Sequence, residues 1–273
     1  SIERMTEISC PLYISQKHVD STGIILHGFL GNHKSMEELA TYLDSSYILP
    51  DLIGHGQSPC PKELKQYTLK AMINQIHEVT NSSLRDPFDL IGYSMGARLA
   101  LSYALAKQNS VRSLILIGGS PGIQDDFARH QRALDDTRKV ALLEDKGLLE
   151  FVNAWEMQRI FSTQRLLSSD KLLAQRRARL STNPMGIISH LRASGSGVMR
   201  PLWGRLHEIE IPVLLVVGSE DEKYVDIGER MQSRIPSSTL AIVSGAGHAV
   251  HFEKPEETAE VINKFNRELE YAN

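Results

Sequence analysis

The sequence predicts an α/β architecture, a mostly parallel sheet flanked by helices with an inserted helical cap. Three observations carry this. Between residues 23 and 118, short continuous apolar runs suited to strands buried on both faces alternate with segments of helical periodicity. The stretch Gly92-Tyr93-Ser94-Met95-Gly96 joins one such run to a segment rich in Ala and Leu. From residue 119 to about 205 the alternation stops and only helical patterns remain.

In chain order, residues 1–22 are mixed, and Ile8 to Ile14 reads as a short edge strand. Gly23-Ile24-Ile25-Leu26 is the first buried strand. It runs into the Gly-rich loop His27-Gly28-Phe29-Leu30-Gly31, where the Phe29 N–H is a candidate oxyanion donor and His27 reads as a residue that orients the loop. A helix follows from Ser35 to Leu43, with Met36, Leu39, Ala40 and Leu43 on one face. Tyr47-Ile48-Leu49 is a short strand leading to a second loop, in which His55 sits between two glycines and reads as shaping the backbone. Thr68 is the expected N-cap of the next helix, whose apolar face is Leu69, Met72, Ile73, Ile76 and Val79. Phe88–Ile91 and Leu114–Ile117 are the following strands. After the insertion the sheet resumes at Val213–Val217 and Leu240–Val243, both read as buried, and a helix from Pro255 to about Glu268 closes the chain.

The insertion carries eleven Arg and three Lys against nine acids, a net +5 in a chain of net −3. It reads as a cap (119–205) of three or four helices over the strand ends of a core domain made of 1–118 and 206–273; a solvated helical set with no ligand role is the alternative. The modest net charge gives no footprint for nucleic acid, and no apolar run approaches the ~18 residues of a membrane span. Cys10 and Cys60 fit no metal-ligand spacing, and no phosphate-cradling loop appears, so neither metal nor organic cofactor is expected. Two isolated cysteines suit a reducing, cytoplasmic compartment, or a plastid or other organelle if the chain is a domain of a eukaryotic polypeptide. Oligomeric state is not legible.

A strand, a Gly-x-Ser-x-Gly turn and a helix describe a nucleophile elbow. The turn is so tight that side chains at Gly92 or Gly96 would meet backbone, and Ser94 is held in a strained conformation above the sheet. A serine hydroxyl needs a base, and the base an orienting acid. In the α/β-hydrolase arrangement they follow in the order Ser, Asp, His. Asp221 lies just past one strand and His248 just past the next; Glu220, Glu222 and Asp226 compete for the acid, and His251 for the base. The Met95 N–H, directly after the nucleophile, is the second expected oxyanion donor. Arg98 lies one helical turn past Ser94 on roughly the same face, to be met either by a body carboxylate or by an anionic substrate.

These motifs, with Gly119-Ser120-Pro121-Gly122-Ile123, Phe151-Val152-Asn153-Ala154-Trp155, Phe161, Arg179-Leu180-Ser181, Gly195-Ser196-Gly197, Pro201-Leu202-Trp203 and Asp221-Glu222-Lys223-Tyr224, resemble the 2-succinyl-6-hydroxy-2,4-cyclohexadiene-1-carboxylate synthases of menaquinone biosynthesis. The resemblance runs from about residue 23 to 265, and the cap motifs make it specific. Ala97 and Ile53 depart from the family's usual glycine and proline, away from any reacting group. The resemblance implies a cofactor-free lyase that eliminates pyruvate from 2-succinyl-5-enolpyruvyl-6-hydroxy-3-cyclohexene-1-carboxylate. It assigns the substrate's carboxylates to Arg98, Arg132 and Arg179, with Arg129 one turn from Arg132 as a competitor, and the pocket shape to Tyr93 and Trp155. The expected partner is thus a small polycarboxylate. A serine hydrolase of an ester or of a carbon–carbon bond in a dienoic acid would use the same triad, and a ligand receptor on this fold would call for a more apolar cavity.

Overall fold

The computed structural model describes residues 10–15 and 20–271. Seven strands form one sheet: β1 (Ile14–Ser15), β2 (Gly23–Leu26), β3 (Tyr47–Pro50), β4 (Phe88–Tyr93), β5 (Val111–Ile117), β6 (Val213–Gly218) and β7 (Ser238–Val243). Their spatial order is β1-β3-β2-β4-β5-β6-β7. Only β1 is antiparallel, through Ile14 and Ser15 against β3; every other pairing is parallel. Part of the expected first strand, Ile8 and Ser9, lies outside the described residues.

Alternate residues of the central strands go to opposite faces. Ile24, Leu26, Leu90, Leu114, Leu116, Val213 and Leu215 belong to one core, packed by α2 (Leu69–Ser83) and α3 (Met95–Lys107). Ile25, Ile91, Ile115, Ile117, Leu214 and Val216 belong to the other, packed by α1 (Lys34–Tyr42) and the C-terminal helix Pro255–Tyr271. A one-residue slip would exchange the two sets, so apolar burial on both faces pins the register that aligns the strand ends. Thr68 caps α2 as expected, its hydroxyl accepting from the Ala71 N–H.

β7 departs from expectation. It is an edge strand, paired with β6 alone, and most of its residues are partly or fully exposed; Ile242 is 49% exposed. Its apolar composition made it read as buried, but with no strand beyond it the helices cover it incompletely.

Between β5 and β6 lie α4 (Asp126–Glu156), α5 (Ser169–Leu180) and α6 (Pro184–Ser194). α4 is two helices joined at Gly147, whose φ of 81° breaks the run. Val140, Leu143, Phe151, Val152, Ile187, Ile188 and Leu191 form a third apolar cluster that also takes in Leu30 of the first Gly-rich loop. The inserted helices are therefore seated on the loop that follows β2. Trp203 is already back in the main core, two residues before the expected boundary at residue 205.

Candidate active site

Ser94 occupies a positive-φ conformation (φ 50°, ψ −106°) between β4 and α3. A Cβ at Gly92 would overlap the Gly96 carbonyl, and one at Gly96 would overlap the carbonyl oxygens of Leu26 and His27. The two glycines thus allow β4, α3 and the end of β2 to meet, and the serine between them bears the strain.

Two loops bring its partners. Asp221 stands three residues past β6, at the start of α7 (Glu222–Gln232), and His248 five residues past β7. His248 Nε2 is 3.0 Å from Ser94 Oγ, and His248 Nδ1 is 2.9 Å from Asp221 Oδ2. The imidazole is buried among Tyr93 and Tyr224, with ring centroids 5.5 and 4.4 Å away. Of the competing groups, Glu220 accepts from the Ser219 hydroxyl, Asp226 pairs with Arg230, Glu222 is exposed, and the His251 ring packs against that of Tyr93.

Phe29 and Met95 line the same cavity as Ser94, and neither N–H bonds another group among the described residues. The first of these donors is held by buried imidazoles. His27 donates to the Gly28 carbonyl (2.8 Å) and accepts from the Leu52 N–H (2.9 Å). His55 accepts from the Leu30 N–H (3.3 Å), and His190 of α6 donates to the Ile53 carbonyl (2.7 Å). The His55 ring centroid lies 5.0 Å from that of His27 and 4.8 Å from that of His190. Desolvation dominates all three, lowering His27 to about 4 and His55 and His190 to about 3. They serve as neutral hydrogen-bonding struts between the oxyanion loop, the next loop and the inserted helices.

A cavity of about 120 Å³ is lined by Phe29, Tyr93, Ser94, Met95, Arg98, Arg132, Trp155 and His248. Arg98 donates to the Ser194 carbonyl (2.9 Å) and meets no carboxylate among the described residues. Burial lowers its pKa to about 10, with Tyr224 and Asp136 opposing and Arg132 adding to the shift. The ion pair with a body carboxylate is thus not what this arginine makes. Arg132 spends only its Nε on Asp136 (3.0 Å). Arg129 is turned away, bonded to the Ile123 carbonyl and to Asp126, which separates the two candidates geometrically.

Arg179 is not in this chamber. It lines an adjoining cavity of about 300 Å³, bonded to Glu156 (3.2 Å) and 5.4 Å from the Phe161 ring centroid. Burial lowers its pKa, against the opposing pull of Glu156. Phe29, Tyr93, Trp155 and Phe161 wall both cavities, so the two share a partition of aromatic rings. The arginines therefore surround two neighbouring spaces that share aromatic walls, and do not converge on one point. Tyr224 and Ser120, also in the smaller cavity, stand in the resembling motifs but were given no site role from the sequence. For Tyr224 a signal existed: it lies one helical turn past Asp221, on the helix that Asp221 opens. Among the described residues no group of His, Cys, Asp or Glu side chains is disposed to hold a metal, and no helix is long and apolar enough to cross a membrane.

The alpha/beta hydrolase fold family matches residues 24–255. A Bacillus subtilis (strain 168) protein bearing the provisional name 2-succinyl-6-hydroxy-2,4-cyclohexadiene-1-carboxylate synthase is 35% identical over 243 residues, covering 89% of each chain. The synthase of that name from Serratia proteamaculans is 26% identical over 258 residues, 92% of this chain and 96% of its own. Among solved structures, that of MenH from S. aureus aligns with a TM-score of 0.88 at 30% identity, over 95% of this chain and 99% of its own.

Proposed function

The chain belongs to the alpha/beta hydrolase fold family and, within it, to the 2-succinyl-6-hydroxy-2,4-cyclohexadiene-1-carboxylate synthases, and on that premise we propose that it eliminates pyruvate from 2-succinyl-5-enolpyruvyl-6-hydroxy-3-cyclohexene-1-carboxylate by means of Ser94, His248 and Asp221. The observation that carries the substrate assignment is Arg98: a desolvated guanidinium, met by no carboxylate among the described residues, in the wall of the chamber that holds Ser94. A buried cation in that position is costly until an anion arrives. Arg132 offers the rest of its fork to the same chamber, and Arg179 a third cation next door.

His248 Nε2 takes the Ser94 proton, and Asp221 steadies the imidazolium through Nδ1. Ser94 Oγ then removes the ring proton alpha to the succinyl ketone. The enolate oxygen that forms sits against the Phe29 and Met95 N–H groups, where fixed donors need no reorganisation. The enolate electrons return through the ring double bond, forming the conjugated diene and breaking the bond to the enolpyruvyl oxygen. The departing enolpyruvate takes up, at carbon, the proton held on His248 and becomes pyruvate, which leaves Ser94 protonated and His248 neutral as at the start. Residues 119–205 act as the cap that walls both cavities. The test is pyruvate release from the tricarboxylate by the purified protein, with the diene followed by its ultraviolet absorbance. Diene and pyruvate appearing in equal amounts are expected; a wild-type protein that releases neither, yet cleaves simple esters, would make it a hydrolase.

A further inference from the structure

The second cavity contains a polar group that the elimination leaves unused. His251 lies in α8 (Val250–Glu253), is 3% exposed, and forms part of the cavity wall with its ring centroid 4.2 Å from that of Tyr93. Its Nδ1 is sealed from solvent and has no hydrogen-bond partner among the described residues. Burial lowers its pKa to about 3, helped by His248 and Lys171, so the ring is neutral and carries one proton. A proton on Nδ1 would be a buried donor without an acceptor, which is tolerated less well than a bare acceptor lone pair. The proton therefore belongs on Nε2, the ring nitrogen left for a molecule in the cavity.

The size and lining of the two spaces indicate what that molecule is. About 120 Å³ around Ser94 is below the ~300–1,000 Å³ usual for small-molecule sites. A substrate with three carboxylates must extend past the shared Phe29–Tyr93 partition into the second space, of about 300 Å³. There Phe161, Phe252 and Ala178 supply apolar walls and Arg179 a cation, a lining suited to a short methylene chain ending in a carboxylate. We propose that His251 is a substrate-binding residue whose Nε2–H, together with Arg179, receives the carboxylate-ended succinyl arm in this second cavity. This rests on the synthase reading above.

Glutamine and asparagine separate the two ring nitrogens, since a Gln amide nitrogen falls near the position of Nε2 and an Asn amide nitrogen near that of Nδ1. Steady-state pyruvate release would be measured for wild type, His251→Gln, His251→Asn and His251→Phe, each with its melting temperature. We expect Asn and Phe to raise KM roughly 10- to 100-fold, the value of one hydrogen bond to a charged group, with kcat within about threefold. Gln should return KM to within about threefold of wild type. If Asn performs as well as Gln, if Phe keeps the wild-type KM, or if the losses fall on kcat, His251 is only a prop for Tyr93 and His248 and the proposal fails. The Gln–Asn comparison decides even if Phe destabilises the fold. A wild-type protein that forms no pyruvate sinks the synthase reading itself; wild-type turnover with indifferent His251 variants sinks this proposal alone.

Discussion

Replacing Arg98 by Met should separate function from stability, because the two respond with opposite sign. The folded protein holds this guanidinium charged at neutral pH although burial lowers its pKa from 12.5 to about 10. At about 1.4 kcal/mol per unit, that displacement corresponds to a penalty on the order of 3 kcal/mol on the charged form. Against it stand the hydrogen bond to the Ser194 carbonyl, worth roughly 1.5–3 kcal/mol, and a weak contact with the Met199 sulfur. The arginine is thus neutral to mildly unfavourable for the empty protein, and Met fills similar volume without the charge. The melting temperature of Arg98→Met should stay level or rise by up to about 5 °C, at roughly 2–4 °C per kcal/mol for a chain of this size. Substrate binding reverses the balance, since an anion that has lost its water then lacks its partner. That loss is worth roughly 2–5 kcal/mol, or about 30- to several-thousand-fold in kcat/KM for pyruvate release. Calorimetry and steady-state kinetics on the same preparations suffice, with a small neutral ester as control substrate. A melting temperature lowered by several degrees, with parallel losses on the tricarboxylate and on the ester, would mean that Arg98 holds the fold and that the carboxylate clamp is wrong.

Ser94→Ala and His248→Ala should each abolish most turnover at saturating substrate, by roughly 100- to 10,000-fold for the base, while Asp221→Asn, which only misorients the base, loses least; near-normal turnover by Ser94→Ala would remove the serine from the mechanism. Dialysis against a strong chelator should leave the rate unchanged, and activity lost on chelation and restored by a stoichiometric metal would contradict the assignment of the chemistry to side chains alone. Stability should fall on acidification: His27, His55 and His190 have an ordinary pKa of 6.5 in the unfolded chain but about 4, 3 and 3 when folded. Between those values the unfolded state binds more protons, so the stability is complete above about pH 6.5 and declines as pH falls toward 4. Urea midpoints from neutral pH to about pH 5 measure the decline, and His55→Asn should flatten it; a midpoint indifferent to pH would count against the buried neutral imidazoles.

The elbow and its partners were legible because strand ends, glycines and chain order are one-dimensional facts, and the fold converts them directly into adjacency. Choices between neighbours were not. Arg132 and Arg129 differ by one helical turn, and only the Ile123 carbonyl and Asp126, which claim Arg129, decide which faces the cavity. His251 and His248 differ by three residues, and only the fold shows that His248 lines the cavity of Ser94 while His251 lines the neighbouring one. Arg179 shows another limit: a list of cations says nothing of how aromatic rings partition the space they line. The burial of β7 was misjudged because an apolar run gives a strand's hydrophobicity but not its neighbours, and those are set by topology.

That edge position has a consequence for how the protein ages. The nucleophile is anchored in the middle of the sheet, whereas the base hangs from its outermost, least covered strand. Outer strands exchange their amide hydrogens through small openings that leave the rest of a molecule intact. An opening of β7 would disconnect His248 from Ser94 while the core set by β2, β4 and β5 stayed closed. Catalytic competence is therefore expected to be lost from the rim inward, with activity falling on heating before the spectroscopic melting transition. A longer working life would come from stitching the 238–243 segment to β6, and reinforcing the already sealed interior would add little.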